Sequence, residues 1–90
     1  MIAMAQHILV RTEEESSNLK DKITVENFTE MAKQHSDCNS AQRGGHLQPF
    51  GPGAMLPEFD QAVWKAPIKE IVGPVKTVCG YHYILVNERV

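Results

Sequence analysis

Two short apolar runs, each beginning with a histidine, lie near the two ends of the chain. The first is His7-Ile8-Leu9-Val10 and the second is His82-Tyr83-Ile84-Leu85-Val86. Their length and their β-branched and aromatic residues predict buried strands over residues 5–10 and 81–86, both far too short to cross a bilayer. If the two strands are antiparallel neighbours, the two imidazoles reach the same end of one sheet and can share a proton.

The sequence that follows the first of these strands indicates two helices. Leu19 and Ile23 stand four residues apart, which predicts a first helix over about 13–23. A second helix is expected over about 25–35, with Thr24 as its N-cap. The apolar stripe of the second helix follows the i, i+3, i+4, i+7 spacing and consists of Phe28, Met31, Ala32 and His35.

The second half begins with a polar segment. Residues 36–45 are rich in Ser, Asn, Asp and Gly, which predicts a loop or a short 3₁₀ turn. Residues 47–50 follow as an edge strand, since Pro49 excludes a central position. Pro57 suits the first turn of a third helix, and Pro67 ends it because the residue before a proline avoids helical geometry.

The order of elements defines the fold class. Val75–Thr77 and the last apolar run form two strands joined by a tight turn near Cys79-Gly80. Strand, two helices, loop, strand, helix and two strands make a mixed α+β domain, with a small four-stranded, mainly antiparallel sheet flanked by helices. A length of 90 residues allows one domain, which we assign to residues 1–90.

Charge and cysteine content exclude several function classes. A net charge of -2 gives no electrostatic reason to expect a nucleic-acid or membrane partner. The two cysteines, Cys38 and Cys79, form neither a disulfide framework nor a CxxC metal motif. The N-terminus lacks the basic start and long apolar stretch of a signal peptide. We therefore expect a cytoplasmic monomer, with a secreted protein whose leader has been removed as the alternative; whether the chain is complete stays open, although Met1 favours a complete protein.

Four segments in a fixed order carry a resemblance to a known family. With these segments the chain resembles the parvulin-type peptidyl-prolyl cis/trans isomerases over about residues 5–89. The resemblance implies the parvulin fold, βα3βαβ2 in element order, and catalysis of X–Pro bond rotation. It implies proline-containing peptides and unfolded or partly folded protein segments as partners. The segments are His7–Val10, Ala32–Cys38, Arg43–Phe50 leading to Gly53–Asp60, and Gly73–Ile84.

The reaction sets few chemical requirements. Rotation about an X–Pro amide faces a barrier of ~20 kcal/mol because the C–N bond has partial double-bond character. No bond is broken, so no nucleophile, metal or cofactor is needed, and we expect none. An apolar slot must hold the proline ring, in surroundings that favour the twisted amide over the planar one.

The resemblance assigns the substrate-binding slot to four residues. Met55 and Phe59 stand four residues apart across Pro57, so both can face one concavity. Leu47 would close this concavity from the neighbouring strand. Phe50 is assigned to the same slot, although it is equally well explained as a core residue. In isolation, Met55, Phe59 and Leu47 would be interpreted as core residues.

The resemblance assigns the catalytic roles to His7, His82, Cys38 and Thr77. The two histidines pair under the site, where they either set its protonation or form a buried pair that stabilises the fold. Cys38 takes a position where parvulins carry cysteine or aspartate, an interchange that argues against covalent catalysis. Thr77 would bridge the histidines or line the site. Cys79 either fills space or is oxidised together with Cys38 across one cleft.

The loop after the first strand bears on specificity. Arg11–Asn18 contains one arginine against three glutamates, whereas phospho-specific parvulins carry a basic cluster there. We expect broad specificity without phosphate dependence, tolerating apolar or basic residues before the proline. The main alternative is a binding module that holds proline-containing segments as a chaperone or adaptor. A thiol hydrolase and a metal site, both built on Cys38 with the two histidines, are weaker alternatives.

Overall fold

Antiparallel pairing joins the first and last strands of the chain. The computed structural model describes residues 1–90 and contains three strands: β1 (Ala3–Val10), β2 (Ile71–Thr77) and β3 (Gly80–Arg89). They form one sheet in the order β1-β3-β2, with β3 antiparallel to both neighbours. The expected adjacency of the two histidine-bearing strands is therefore confirmed.

Helices cover both faces of this sheet. The α-helices are α1 (Glu13–Lys20), α2 (Phe28–His35) and α3 (Pro57–Lys65), and a 3₁₀ helix spans Asn39–Arg43. The mixed α+β class is confirmed, as are the short 3₁₀ element after the second helix and the start of α3 at Pro57. No helix has the length and apolar composition needed to cross a membrane.

The start of the second helix differs from the prediction. Asn27, not Thr24, precedes α2, and the chain before it forms a turn. The two side chains cap each other: the Thr24 N–H donates to Asn27 Oδ1 at 2.7 Å, and the Asn27 N–H donates to Thr24 Oγ1 at 3.1 Å. This reciprocal pair stabilises a separate turn over residues 24–27, so the helix begins three residues later than expected.

The expected fourth strand is also absent as a regular strand. Residues near 47–50 touch β1 only through isolated bridges, between Phe50 and Ala3 and between His46 and Gln6. Pro49 lies between the bridges and has no N–H to continue a ladder. The segment nevertheless covers the outer edge of β1, because the Leu47 N–H donates to the Ala5 carbonyl at 3.0 Å.

Alternation along the strands divides the core into two clusters, one on each face of the sheet. One face packs on α3 and the other on α1 and α2. Because His7 and His82 alternate with residues of the second cluster, they extend the first. The α3-side cluster contains Ala3, Ala5, Phe50, Phe59, Val63, Ala66, Ile84 and Val86. The opposite cluster contains Ile8, Val10, Leu19, Ile23, Phe28, Ala32, Tyr83 and Leu85.

Candidate active site

The strand register places the two histidines diagonally on one face of the sheet. His7 lies opposite Ile84, and His82 lies opposite Leu9. Their Nδ1 atoms are 3.1 Å apart, the ring planes differ by 17°, and the ring centroids are 5.3 Å apart. Since the Nδ1 separation is much shorter than the centroid separation, the rings meet edge to edge through a hydrogen bond.

A chain of hydrogen bonds runs from the β2–β3 turn to His7. The Cys79 N–H donates to Thr77 Oγ1 at 3.1 Å, and Thr77 Oγ1 lies 2.8 Å from His82 Nε2. The arrangement that uses the most donors has the Thr77 hydroxyl donating to His82 Nε2, and His82 Nδ1–H donating to His7 Nδ1. The remaining ring nitrogen, His7 Nε2, then carries a hydrogen and is buried without a partner.

Burial keeps this pair uncharged. Burial and, to a smaller extent, the charge of His82 together lower the pKa of His7 from 6.5 to about 4. Burial also lowers the pKa of His82. At neutral pH both rings are therefore neutral, and the face that they form has low polarity.

An aromatic ring packs against both imidazoles. The Phe59 centroid lies 5.4 Å from that of His7 and 5.2 Å from that of His82, with planes near perpendicular at 85° and 84°. Edge-to-face contacts of this kind are favoured by the ring quadrupole. Phe59 is buried in the α3-side core and is thereby fixed in position.

These groups form part of the lining of a cavity of about 200 Å³. Its volume is below the roughly 300–1,000 Å³ of typical small-molecule sites, so it suits a single small ring. The two imidazoles are neutral, and apart from them and the Cys38 thiol every side chain that lines the cavity is apolar. The lining residues are His7, Cys38, Leu47, Met55, Leu56, Phe59 and His82.

Six of the eight residues assigned from the sequence thus come together at one cavity. Thr77 is buried one hydrogen bond behind it, where it contacts His82 alone of the two histidines. Phe50 is in the core, with its ring edge-on to Trp64 at 6.3 Å, and does not line the cavity. Cys79 is exposed in the β2–β3 turn and does not line it either.

Leu56 lines the cavity but was not assigned from the sequence. It immediately precedes α3 and is 38% exposed, which places it at the mouth. The one sequence signal for Leu56 was that an apolar side chain stands between Met55 and Pro57, at the start of the helix.

Local backbone contacts hold the walls in place. The Leu9 and Cys38 N–H groups donate to Ser36 Oγ at 3.0 and 3.3 Å, which ties the Cys38 loop to β1. On the other side the His7 N–H donates to the Gly45 carbonyl at 2.9 Å. Gly45 has a φ of 83°, and a side chain there would collide with the His7 carbonyl. A glycine is thus required where the loop crosses beneath His7.

A second cavity, of about 260 Å³, lies on the opposite face. It is larger, but its rim carries charges of both signs and it contains none of the residues assigned from the sequence. The smaller cavity, with its apolar walls and neutral histidine pair, is the better candidate for an active site. The second cavity is lined by Val10, Glu15, Asn18, Leu19, Lys22 and His35.

Comparison with known proteins identifies the family. A family model described as "Rotamase: PPIC-type PPIASE domain" matches residues 7–88. The chain is 44% identical over 87 residues to the foldase protein PrsA of Geobacillus kaustophilus, an alignment that covers 94% of this chain and 31% of that protein. It thus spans about a third of the length of the curated relatives it matches.

Two solved structures show the same fold. The peptidylprolyl isomerase PrsA from Bacillus anthracis superposes with a TM-score of 0.86 at 42% identity, covering 94% of this chain and 40% of that one. The parvulin NmPin of Nitrosopumilus maritimus superposes with a TM-score of 0.74 at 32% identity, covering 94% of each chain. The fold is that of a peptidyl-prolyl cis/trans isomerase domain. The chain belongs to the PPIC-type PPIase family, the parvulins, as the sequence resemblance implied.

Proposed function

We propose that the chain accelerates cis/trans rotation of X–Pro bonds by non-covalent binding of the proline ring in the 200 Å³ cavity. The observation that carries the proposal is the contact of Phe59 with two neutral, mutually hydrogen-bonded histidines at its apolar wall. A site of low polarity strips water from the amide. Because water solvates the planar, charge-separated form of the amide best, removing water favours the twisted form of the amide.

Each lining residue has a role in this proposal. Leu47, Met55 and Phe59 grip the pyrrolidine ring through apolar contact. Cys38 supplies a weakly polar group beside the amide. No hydrogen bond joins the sulfur of Cys38 to either imidazole, and both imidazole Nδ1 atoms are engaged with each other, so the thiol-hydrolase alternative lacks an oriented base.

We propose broad specificity with no requirement for phosphate. Arg11 is the cation of the loop after β1, and its Nη1 donates to the Cys79 carbonyl at 3.2 Å. Its Nε lies 3.9 Å from Asp37 Oδ2 in a solvent-exposed ion pair, so a carboxylate already stands beside its charge. The first turn of α1 that follows is acidic, with Glu13, Glu14 and Glu15. The segment after β1 therefore presents three carboxylates and one arginine rather than a basic cluster for a phosphate.

The alternative function is a binding module that holds proline-containing segments without isomerising them. The relatives named foldase protein are consistent with either function. A cytoplasmic location and a monomeric state stay predictions; sedimentation analysis of the purified chain tests the second.

Exchange spectroscopy on a short Ala-Pro peptide, with catalytic amounts of the protein, tests the main proposal. It detects both isomers directly. We expect accelerated exchange in the wild type, its loss in Met55→Ala, and its retention in Met4→Ala, the same substitution at an exposed methionine outside the cavity. Peptide binding without acceleration in the wild type would favour the binding module instead.

A further inference from the structure

The segment of residues 51–56, here called the rim segment, carries two of the cavity-lining side chains, Met55 and Leu56. It contains two glycines, Gly51 and Gly53, and most of its residues are exposed. Its own turn is closed by the Ala54 N–H donating to the Gly51 carbonyl at 3.3 Å. A glycine-rich exposed segment has high conformational entropy, so a tie to the folded body is needed to hold Met55 over the cavity.

Asp60 on α3 provides such a tie. Its Oδ1 accepts the Gly53 N–H at 3.0 Å. The same oxygen accepts the indole N–H of Trp64, one turn further along the helix, at 2.9 Å. The Trp64 ring packs edge-on against Phe50 of the core. The carboxylate is thus itself oriented by a core-anchored donor while it holds the rim segment against the helix that also carries Phe59.

From these contacts we propose that Asp60 is a positioning residue that sets the affinity of the cavity for proline-containing segments. The inference rests on the proposed function of the cavity. Asp60 does not line the cavity and contacts no histidine of the pair. It acts by keeping Met55 and Leu56 in the binding arrangement before the ligand arrives.

The effect is expected in binding rather than in turnover. Without the tie, the rim segment must be ordered by the ligand, and that ordering cost is subtracted from the affinity. The environment of the bound amide, set by His7, His82 and Phe59, stays the same. Losing one hydrogen bond of ordinary strength corresponds to a roughly two- to tenfold change in an equilibrium constant.

The test compares Asp60→Ala with Asp60→Asn. Alanine removes the acceptor and is well tolerated in a helix, whereas asparagine keeps a carbonyl oxygen at the same place. NMR titration with an Ala-Pro peptide gives Kd, and exchange spectroscopy gives KM and kcat. We expect Asp60→Ala to raise Kd and KM roughly two- to tenfold with kcat within about twofold of wild type, and Asp60→Asn to restore both constants.

Trp64→Phe is the packing control, because it removes the other hydrogen bond of Asp60 Oδ1 and leaves the one to Gly53. It is expected to bind the peptide more tightly than Asp60→Ala. The proposal is overturned if folded Asp60→Ala binds as tightly as wild type, or if Trp64→Phe or Asp60→Asn weakens binding as much as Asp60→Ala does. Failure of the proposed function is a separate result: wild type would bind the peptide without accelerating exchange, and Kd would still test Asp60.

Discussion

The Nδ1 atoms of His7 and His82 lie 3.1 Å apart, so the two rings share a single hydrogen between these atoms. Doubly protonated rings would each carry a hydrogen at Nδ1 and would repel each other at this distance. The site is therefore built for neutral imidazoles, and acid must disrupt it. This relationship makes the stability of the domain a measure of the state of the histidine pair.

We predict that the free energy of unfolding decreases as the pH is lowered from 6.5 to about 4. The pKa of His7 is about 4 in the folded state, below the 6.5 of the free side chain, so the unfolded state binds more protons in this window. The stability contribution is complete above pH 6.5 and is lost as pH falls through the window. His7 alone accounts for about 3 kcal/mol, and His82 acts in the same direction.

Urea denaturation at pH steps across this window measures the effect. His7→Gln should lose most of the pH dependence, and the remainder should come from His82. His46→Gln, which removes an exposed imidazole, should keep the wild-type slope. An unchanged slope in His7→Gln would contradict the assignment of the pH dependence to the pair.

Thr77→Val is predicted to destabilise the domain by about 1–3 kcal/mol. Valine has nearly the same shape, but it leaves His82 Nε2 and the Cys79 N–H without their shared partner. With the tautomer of His82 no longer fixed, accelerated exchange should also weaken. Thr77→Ser keeps the hydroxyl and should retain both properties, as denaturation and exchange spectroscopy can show. Equal loss in the two variants would contradict the assignment of the effect to the hydroxyl, because serine keeps it.

Phe59→Ala is predicted to unfold the domain rather than merely to empty the cavity. Phe59 is only 4% exposed and belongs to the α3-side core. Truncation of a buried phenylalanine costs about 3–5 kcal/mol, comparable with the roughly 5 kcal/mol expected at the lower limit for a domain of this size. Phe59→Leu retains most of the volume and is the variant suited to binding measurements. Met55→Ala, at the half-buried rim, should stay folded, and thermal unfolding distinguishes the two cases.

A phosphoserine-proline peptide is predicted to be turned over more slowly than its serine counterpart. Arg11 is engaged by Asp37 and the Cys79 carbonyl, and the adjacent helix turn is acidic. Neutralising Glu13 and Glu14 with glutamine should reduce the difference, while Glu15 is left intact because its carboxylate accepts a hydrogen bond from the Thr12 hydroxyl at the helix start. Faster turnover of the phosphorylated peptide by wild type would contradict the prediction.

The sequence predicted the parts of the site that depend on periodic patterns. The two apolar runs headed by His7 and His82 predicted two buried strands, and the family resemblance implied that the two histidines pair. The spacing of Met55 and Phe59 across Pro57 predicted that they face one concavity. These inferences succeeded because strand alternation and the helix start are local properties.

Features that depend on tertiary contacts could not be predicted from the sequence pattern. Thr24 and Asn27 are both good N-cap residues, and the mutual hydrogen bonds that hold residues 24–27 in a separate turn could not be foreseen from the spacing. Phe50 and Leu56 are apolar residues flanking glycine turns. The first is directed into the core by Trp64, and the second remains at the cavity mouth. The role of Asp60 depends on the rim segment lying against α3, and no rule based on residue spacing predicts that contact.

Two glycines with nearly equal φ angles allow the support beneath His7 to be measured. Gly45 has a φ of 83° and Gly53 a φ of 85°, so alanine at either position bears a similar conformational cost of roughly 1–2 kcal/mol. An added Cβ at Gly53 meets nothing within 4 Å, whereas at Gly45 it collides with the His7 carbonyl and lies 3.1 Å from Ala32 Cβ. Gly45→Ala must therefore displace β1 at the histidine.

We predict that Gly45→Ala is less stable than Gly53→Ala by a further 1–3 kcal/mol or so, the usual range for overpacking. Urea denaturation gives the free energy of unfolding of each variant. In the difference between the two values, the conformational cost that both alanines share cancels. Imidazole resonances should shift in Gly45→Ala and not in Gly53→Ala, because only the first moves His7 relative to His82. Equal stabilities would mean that the loop yields to the added methyl group without moving the strand, and that Gly45 does not fix the position of the pair.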